Sequence, residues 1–236
     1  MILHRLLLLC MLPMLWCCDG LPGKPDPANR YIRPTEVTDF DTLYSMNCSG
    51  CHGAEGKLGP AVPLADPMYL ALASPIHIEE ITRTGVTGTT MPAFAIEAGG
   101  TLTDQQIAII ARGLSTRWGQ PQPAEVVNSA PPLAVPQGGP PGNPERGAAH
   151  FKTFCGSCHG PEGRGTARAG SVVEPPYLGL VSDQNLRTNT IIGRRDLGMP
   201  DWRQVGDRPM RPEEVTDIVA WLASQRIPRP SSSMAN

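Results

Sequence analysis

Aromatic side chains are scarce in this 236-residue chain: four Phe, four Tyr and four Trp, or 5%. Such rings supply much of the buried area in ordinary cores, so two domains of common size are hard to build from this composition. Domains of under a hundred residues bury too little surface to be stable without some covalent or metal staple. Disulfides are excluded as that staple. Of seven cysteines, four form two Cys-Xaa-Xaa-Cys pairs, and Cys10, Cys17 and Cys18 fall in the first eighteen residues, leaving none over. No alternating apolar–polar stretch of useful length occurs, which excludes a sheet-based fold. The net charge of −2, without a continuous basic stripe, excludes nucleic acid as a partner.

What is present is a repeat. Cys48-Ser49-Gly50-Cys51-His52 recurs as Cys155-Gly156-Ser157-Cys158-His159, and the next residues, Gly53-Ala54-Glu55-Gly56-Lys57 and Gly160-Pro161-Glu162-Gly163-Arg164, are also alike. A lone Cys-Xaa-Xaa-Cys is compatible with a thioredoxin-like pair, and two pairs with a zinc site of four thiolates. Zinc gives no reason for a histidine after both pairs, and no βαβ context is visible for the redox pair. Cys-Xaa-Xaa-Cys-His is the attachment signature of c-type haem. Thiols three apart on a helical turn face one side and can each add to one vinyl group, while the histidine offers a nitrogen to iron. Two covalently bound haem c groups are therefore expected, and their flat apolar faces replace the missing aromatic rings.

The repeat extends beyond the motifs. Asp66-Pro67-Met68-Tyr69-Leu70 parallels Glu174-Pro175-Pro176-Tyr177-Leu178, and Gly85 precedes Met91-Pro92 at the spacing by which Gly193 precedes Met199-Pro200. A helix opens each unit: Thr38 is the expected cap for one carrying Phe40, Leu43 and Tyr44, and Asn143-Pro144-Glu145 begins one carrying Ala148, Phe151 and Phe154. Another closes each unit. In the first copy Thr103 and Gln106 make a capping box, with Leu102 and Ile107 as a staple and a stripe through Ile110, Ala111 and Leu114. In the second, Pro212 suits the first helical position and Val215, Ile218, Val219 and Leu222 form the stripe. The reading is all-α: domains at 35–118 and 143–230, a Pro/Gly-rich linker at 119–142 favouring extended spacing, a flexible tether at 19–34 and a disordered tail at 231–236.

This pattern resembles the class I cytochrome c family, over nearly all of both units. The resemblance implies that the first and last helices of each unit cross beside the haem, with a loop methionine as sixth iron ligand. Cys48, Cys51, Cys155 and Cys158 would then hold the haems, with His52 and His159 as proximal ligands and Met91 and Met199 as distal ones. Met46 and Met68 are expected as core filler, and Met210 as a staple or half-exposed residue at the last helix. His77 and His150, the other histidines past the leader, have no counterparts in the opposite copy. The family's usual acceptor for the proximal imidazole is a proline carbonyl, which makes Pro60 the candidate in the first unit.

The N-terminus reads as a targeting segment, 1–18: His4 and Arg5, then an apolar run from Leu6 to Trp16 too short to span a bilayer alone. Leu15-Trp16-Cys17-Cys18 resembles a bacterial lipoprotein box, which makes Cys18 the lipidation candidate, on the periplasmic side. Soluble export and an uncleaved anchor are the alternatives. Residues 35–118 carry four Lys/Arg against nine Asp/Glu, and 143–230 twelve against ten, including Arg187, Arg194, Arg195, Arg203, Arg208 and Arg211 near the second methionine. Different redox partners docking on the two units would exploit this difference. The expected function is electron transfer between a quinol-oxidising complex and a terminal acceptor, as a carrier or a bound subunit, with neither small-molecule substrate nor catalysis. The alternative is a dihaem peroxidase or the cytochrome subunit of a dehydrogenase.

Overall fold

The computed structural model describes Gly23, Asp26 and residues 30–135 and 141–227. The targeting segment with Cys18, much of the tether, Met234 and the tail lie outside the described residues. The chain falls into two compact units, one ending at Val37 and one beginning at Thr38. In the first, Pro34–Glu36 form a single 3-10 turn closed by reciprocal bonds between Arg33 and Glu36.

The second unit contains both sequence repeats. Helices α1 (Phe40–Asn47), α2 (Ser49–His52), α3 (Pro67–Leu72), α4 (Pro75–Thr84) and α5 (Asp104–Trp118) make the first repeat. After α6 (Ala124–Ser129), helices α7 (Pro144–Phe154), α8 (Gly156–His159), α9 (Pro175–Leu180), α10 (Asp183–Ile192) and α11 (Pro212–Ser224) make the second. The fold is all-α, and no strand occurs among the described residues. No helix there is long and apolar enough to cross a membrane.

Local chemistry accounts for the helix ends. Asp39, not Thr38, caps α1: its carboxylate accepts the Thr42 N–H at 2.8 Å and the Thr42 hydroxyl at 2.7 Å, and an anion also suits a helix N-terminus. Asn143 accepts the Arg146 N–H to start α7, and Thr103 and Gln106 form the reciprocal box of α5. Helices α4 and α10 are not evident from apolar periodicity. Each begins on a serine cap, Ser74 or Ser182, and stops at a glycine of positive φ, Gly85 or Gly193.

Within each repeat the first and last helices pack together. Leu43, Tyr44, Ile107, Ile110, Ala111 and Leu114 are buried in one, and Phe151, Phe154, Val215, Ile218, Val219 and Leu222 in the other. Close approach is achieved by opposite means. In the first, the bulky residue is Phe40 on α1, and a Cβ on Gly113 of α5 would lie 2.1 Å from its ring. In the second, the small residue is Gly147 on α7, where a Cβ would lie 2.0 Å from the Asp217 carbonyl and 2.7 Å from Trp221 Cβ. The rings follow suit: Tyr44 meets Trp118 edge-on at 5.0 Å, and Phe151 meets Trp221 at 4.4 Å.

The Pro-rich segment is more built than its composition suggests. Beyond α6, Pro131 and Leu133 are buried. Gln184 of α10 donates to the Leu133 carbonyl and accepts the Val135 N–H, while Arg187 donates to the Pro132 carbonyl and the Thr216 hydroxyl. Prolines remove donors but leave carbonyls, and side chains of the second repeat bind those carbonyls. Met68 is fully buried as expected, whereas Met46 is 70% exposed and fills no core. Met210 is buried just before α11, and its N–H donates to the Trp202 carbonyl at 3.0 Å.

Candidate functional site

Each Cys-Xaa-Xaa-Cys-His motif occupies a one-turn helix continuing from a longer one. Cys48 ends α1 and begins α2, and Cys155 ends α7 and begins α8. A single helical turn sets the thiols of each pair on one side. All four are free thiols. Burial pushes Cys48 and Cys155 up to about 12, with the companion cysteine adding to the shift, so both are neutral at pH 7. Among the described residues no group of three or more His, Cys, Asp or Glu is placed to hold a metal ion, so each cysteine pair stands by itself.

The imidazoles are oriented alike. His52 Nδ1 lies 2.7 Å from the Val62 carbonyl, and His159 Nδ1 lies 2.8 Å from that of Gly170. With Nδ1–H donated to a carbonyl, Nε2 keeps its lone pair for a metal. Burial holds His52 below the usual imidazole range, against its bond to Val62, which keeps the ring neutral. The acceptor is Val62 and not Pro60: Ala61 N–H donates to the Cys51 carbonyl at 3.0 Å and turns the chain, so the carbonyl two residues on faces the ring. Nothing in side-chain identity marks either carbonyl, so the sequence carries no signal for them. Tyr44 closes the first loop from below, donating its hydroxyl to the Gly53 carbonyl at 2.8 Å.

The methionine loops are copies at the backbone. Gly85 has φ 69° and ψ −169°, and Gly193 has φ 74° and ψ −172°, a region open essentially to glycine alone. A Cβ on Gly85 would lie 2.6 Å from Ala93 N and 2.8 Å from the Met91 carbonyl; on Gly193, 2.4 Å from the Pro200 carbonyl and 2.5 Å from that of Met199. The glycines let each Met-Pro segment lie against the end of its helix. Val86 N–H donates to Met91 O, and Arg194 N–H to Met199 O. Both methionines are half-buried.

The remaining candidates face elsewhere. His77 is exposed on α4. His150 turns toward α11, with Nδ1 3.9 Å from Glu214 Oε1 and Nε2 3.7 Å from Asp217 Oδ2. The donor set in each repeat, two free thiols on one turn, an imidazole with Nδ1 on a carbonyl and Nε2 available, and a thioether on a glycine-hinged loop, fits a covalently attached haem.

The arginines near the second methionine loop are not a free basic patch. Arg194 pairs with Asp196, Arg195 with Asp66, Arg203 with Asp201, Arg208 with Glu214, and Arg211 with Glu213 and Glu214. Arg187 is buried against Pro132 and Thr216. Glu214 accepts from two arginines. Its side chain is 1% exposed, and hydrogen bonds from Arg208, then from the Arg211 backbone and side chain, outweigh burial and lower its pKa to about 2 from 4.5. A group with a depressed folded pKa stabilises above its unfolded value and loses that contribution as pH falls. Second-repeat stability is therefore expected to decline from about pH 4.5 toward pH 2. Glu214→Gln should flatten this limb and cost about 2 kcal/mol at neutral pH, read by denaturant titration across pH.

Two family models match the chain. Residues 35–112 match the family described as cytochrome c oxidase, cbb3-type, subunit III, and residues 144–226 match cytochrome c. No curated protein sequence matches the chain. Among solved structures it is similar to a chain of the reducing HAO-like protein complex Kustc0457/Kustc0458 of Kuenenia stuttgartiensis, at 18% identity over 84% of this chain and 100% of that one. The TM-score is 0.44, too low for any argument to rest on it. The chain belongs to the c-type cytochromes: it is a dihaem electron carrier of two cytochrome c domains in tandem, with two covalently bound haems.

Proposed function

We propose that Cys48 and Cys51 hold the first haem and Cys155 and Cys158 the second, with His52 and Met91 as axial ligands in one domain and His159 and Met199 in the other. A bound haem would supply a one-electron iron couple, and a methionine ligand in place of a second histidine would bias it toward higher potential. The observation that carries this reading is the shared build of the two methionine loops, each hinged on a glycine at φ near 70°. A histidine and a methionine held to the iron in each domain would leave a bound haem no position for peroxide or another substrate. That favours outer-sphere electron transfer over the dihaem peroxidase alternative.

The working place we assign is the periplasmic face of a bacterial membrane, with Cys18 as the lipid-bearing residue and 19–34 as the tether. There the chain passes electrons between a quinol-oxidising complex and a terminal acceptor, an oxidase or a photosynthetic reaction centre. The first domain's match to the subunit III family of cbb3-type oxidases favours an oxidase, and a bound subunit over a free carrier. With the arginines near the second methionine loop paired to carboxylates, Arg195 to Asp66 of the first domain, charge steering of partners is left to the first domain's excess of acid. Fractionation of native membranes tests this reading. The chain should copurify with a redox complex from detergent extracts, and Cys18→Ser should release it into the soluble fraction. Appreciable peroxide turnover by the purified holoprotein would overturn it.

A further inference from the structure

The two methionine loops share a backbone but are held by different neighbours. In the first domain the loop hydrogen-bonds within itself, although Gly88 shares a cavity with α9 of the second domain. Thr89 donates its hydroxyl to the Val86 carbonyl at 2.8 Å, and the same oxygen accepts the Met91 N–H at 3.1 Å. In the second, Leu197 takes the place of Thr89, and the loop is tied to the first domain instead. Asp196 Oδ2 accepts the Leu58 N–H at 2.8 Å, and Arg194 Nη2 donates to the Gly59 carbonyl at 2.9 Å. Arg194 and Asp196 pair with each other, their side chains 14% and 6% exposed. Arg194 is also the residue whose N–H and carbonyl both bond Met199, at 3.1 and 3.0 Å. Next to it, Arg195 makes a two-pronged pair with Asp66, whose carboxylate caps α3 of the first domain.

Leu58 adds a second sign that these contacts are built in. It is the one non-glycine with positive φ among the described residues, at 64°, while its side chain is 66% exposed. A left-handed leucine is strained and persists only where its surroundings hold it. Here the Asp196 carboxylate holds its N–H.

We propose that Arg194, Asp196 and Arg195 are positioning residues through which the first domain holds the second domain's methionine loop. The second iron's methionine ligation then depends on the domain interface, and the first iron's does not. This rests on the reading of Met199 as a ligand.

The test uses the full-length holoprotein, following the methionine-to-iron charge-transfer band and both potentials against pH in Asp196→Asn and Arg195→Gln. Each variant should raise the methionine-dissociated fraction of the second site about tenfold, moving its loss to lower pH by about one unit and lowering its potential. The first site should be unchanged, and Arg195→Lys, which keeps the charge facing Asp66, should keep much of the second site's methionine ligation. Thr89→Val should do the converse, loosening only the first site. If Asp196→Asn raises the second potential with the band's pH dependence unmoved, only a charge has been removed and the proposal is overturned. Equal shifts at both sites overturn it too. If Met199→Ala itself leaves the second band intact, the ligand reading has failed; if it removes the band while interface variants do nothing, the brace alone has failed.

Discussion

Replacing Gly193 with alanine is expected to abolish methionine ligation in the second domain while leaving its haem covalently attached. The residue has φ 74° and ψ −172°, which costs any side-chain-bearing residue energy before contacts are considered. The new Cβ would also sit 2.4 Å from the Pro200 carbonyl and 2.5 Å from the Met199 carbonyl. Both are backbone atoms of the ligand loop, so no rotamer change relieves the clash and the loop itself must move. Together strain and overlap are expected to cost about 3 kcal/mol. The charge-transfer band of one haem should vanish and its potential fall, with the other haem's signals kept. Attachment should survive because Cys155 caps α8 and Cys158 lies in it, while the atoms nearest the added Cβ belong to Met199 and Pro200. Gly85→Ala should produce the same result in the first domain.

Gly147→Ala should be the most destabilising single methyl addition in the second domain. The added carbon would lie 2.0 Å from the Asp217 carbonyl and 2.7 Å from Trp221 Cβ, so α7 and α11 must separate. Trp221 packs tilted against Phe151, and Asp217 holds both the Asn143 N–H and Arg146, so separation disturbs the whole start of α7. Overpacking against backbone in a close crossing is expected to cost about 3 kcal/mol or more. Gly113→Ala supplies the control. There the Cβ meets the Phe40 ring, a half-buried side chain that can swing away, and about 1 to 2 kcal/mol is expected. Thermal denaturation of the two holoproteins reads the difference, and equal losses would mean the crossings are alike after all.

The sequence made legible what repeats or periodicity encode. The two Cys-Xaa-Xaa-Cys-His motifs, the equal Gly-to-Met spacing and the capping box of Thr103 and Gln106 all stand in one-letter code. The stripes of α5 and α11 could be read the same way. What it hid depends on backbone atoms or distant neighbours. The carbonyls of Val62 and Gly170 carry no residue signature. Asp39 outcompetes Thr38 as a cap by a difference of one position. The short α3 and α9 lack room for a periodic stripe. The interface was invisible for a different reason: Arg194 and Asp196 read as ordinary surface charges until folding brings them to Leu58 and Gly59, more than a hundred residues away. The apparent basic patch is largely neutralised, mostly by acids close in sequence, with Arg195 alone finding its acid far along the chain at Asp66.

Each domain is proposed to carry its own haem on its own histidine and methionine, which spectroelectrochemical titration of the holoprotein beside Met91→Ala and Met199→Ala would check. Two one-electron couples are expected, with each substitution lowering one of them and removing the charge-transfer band of that haem alone. A substitution that leaves both couples where they were, or a chain that titrates as a single haem, would contradict it.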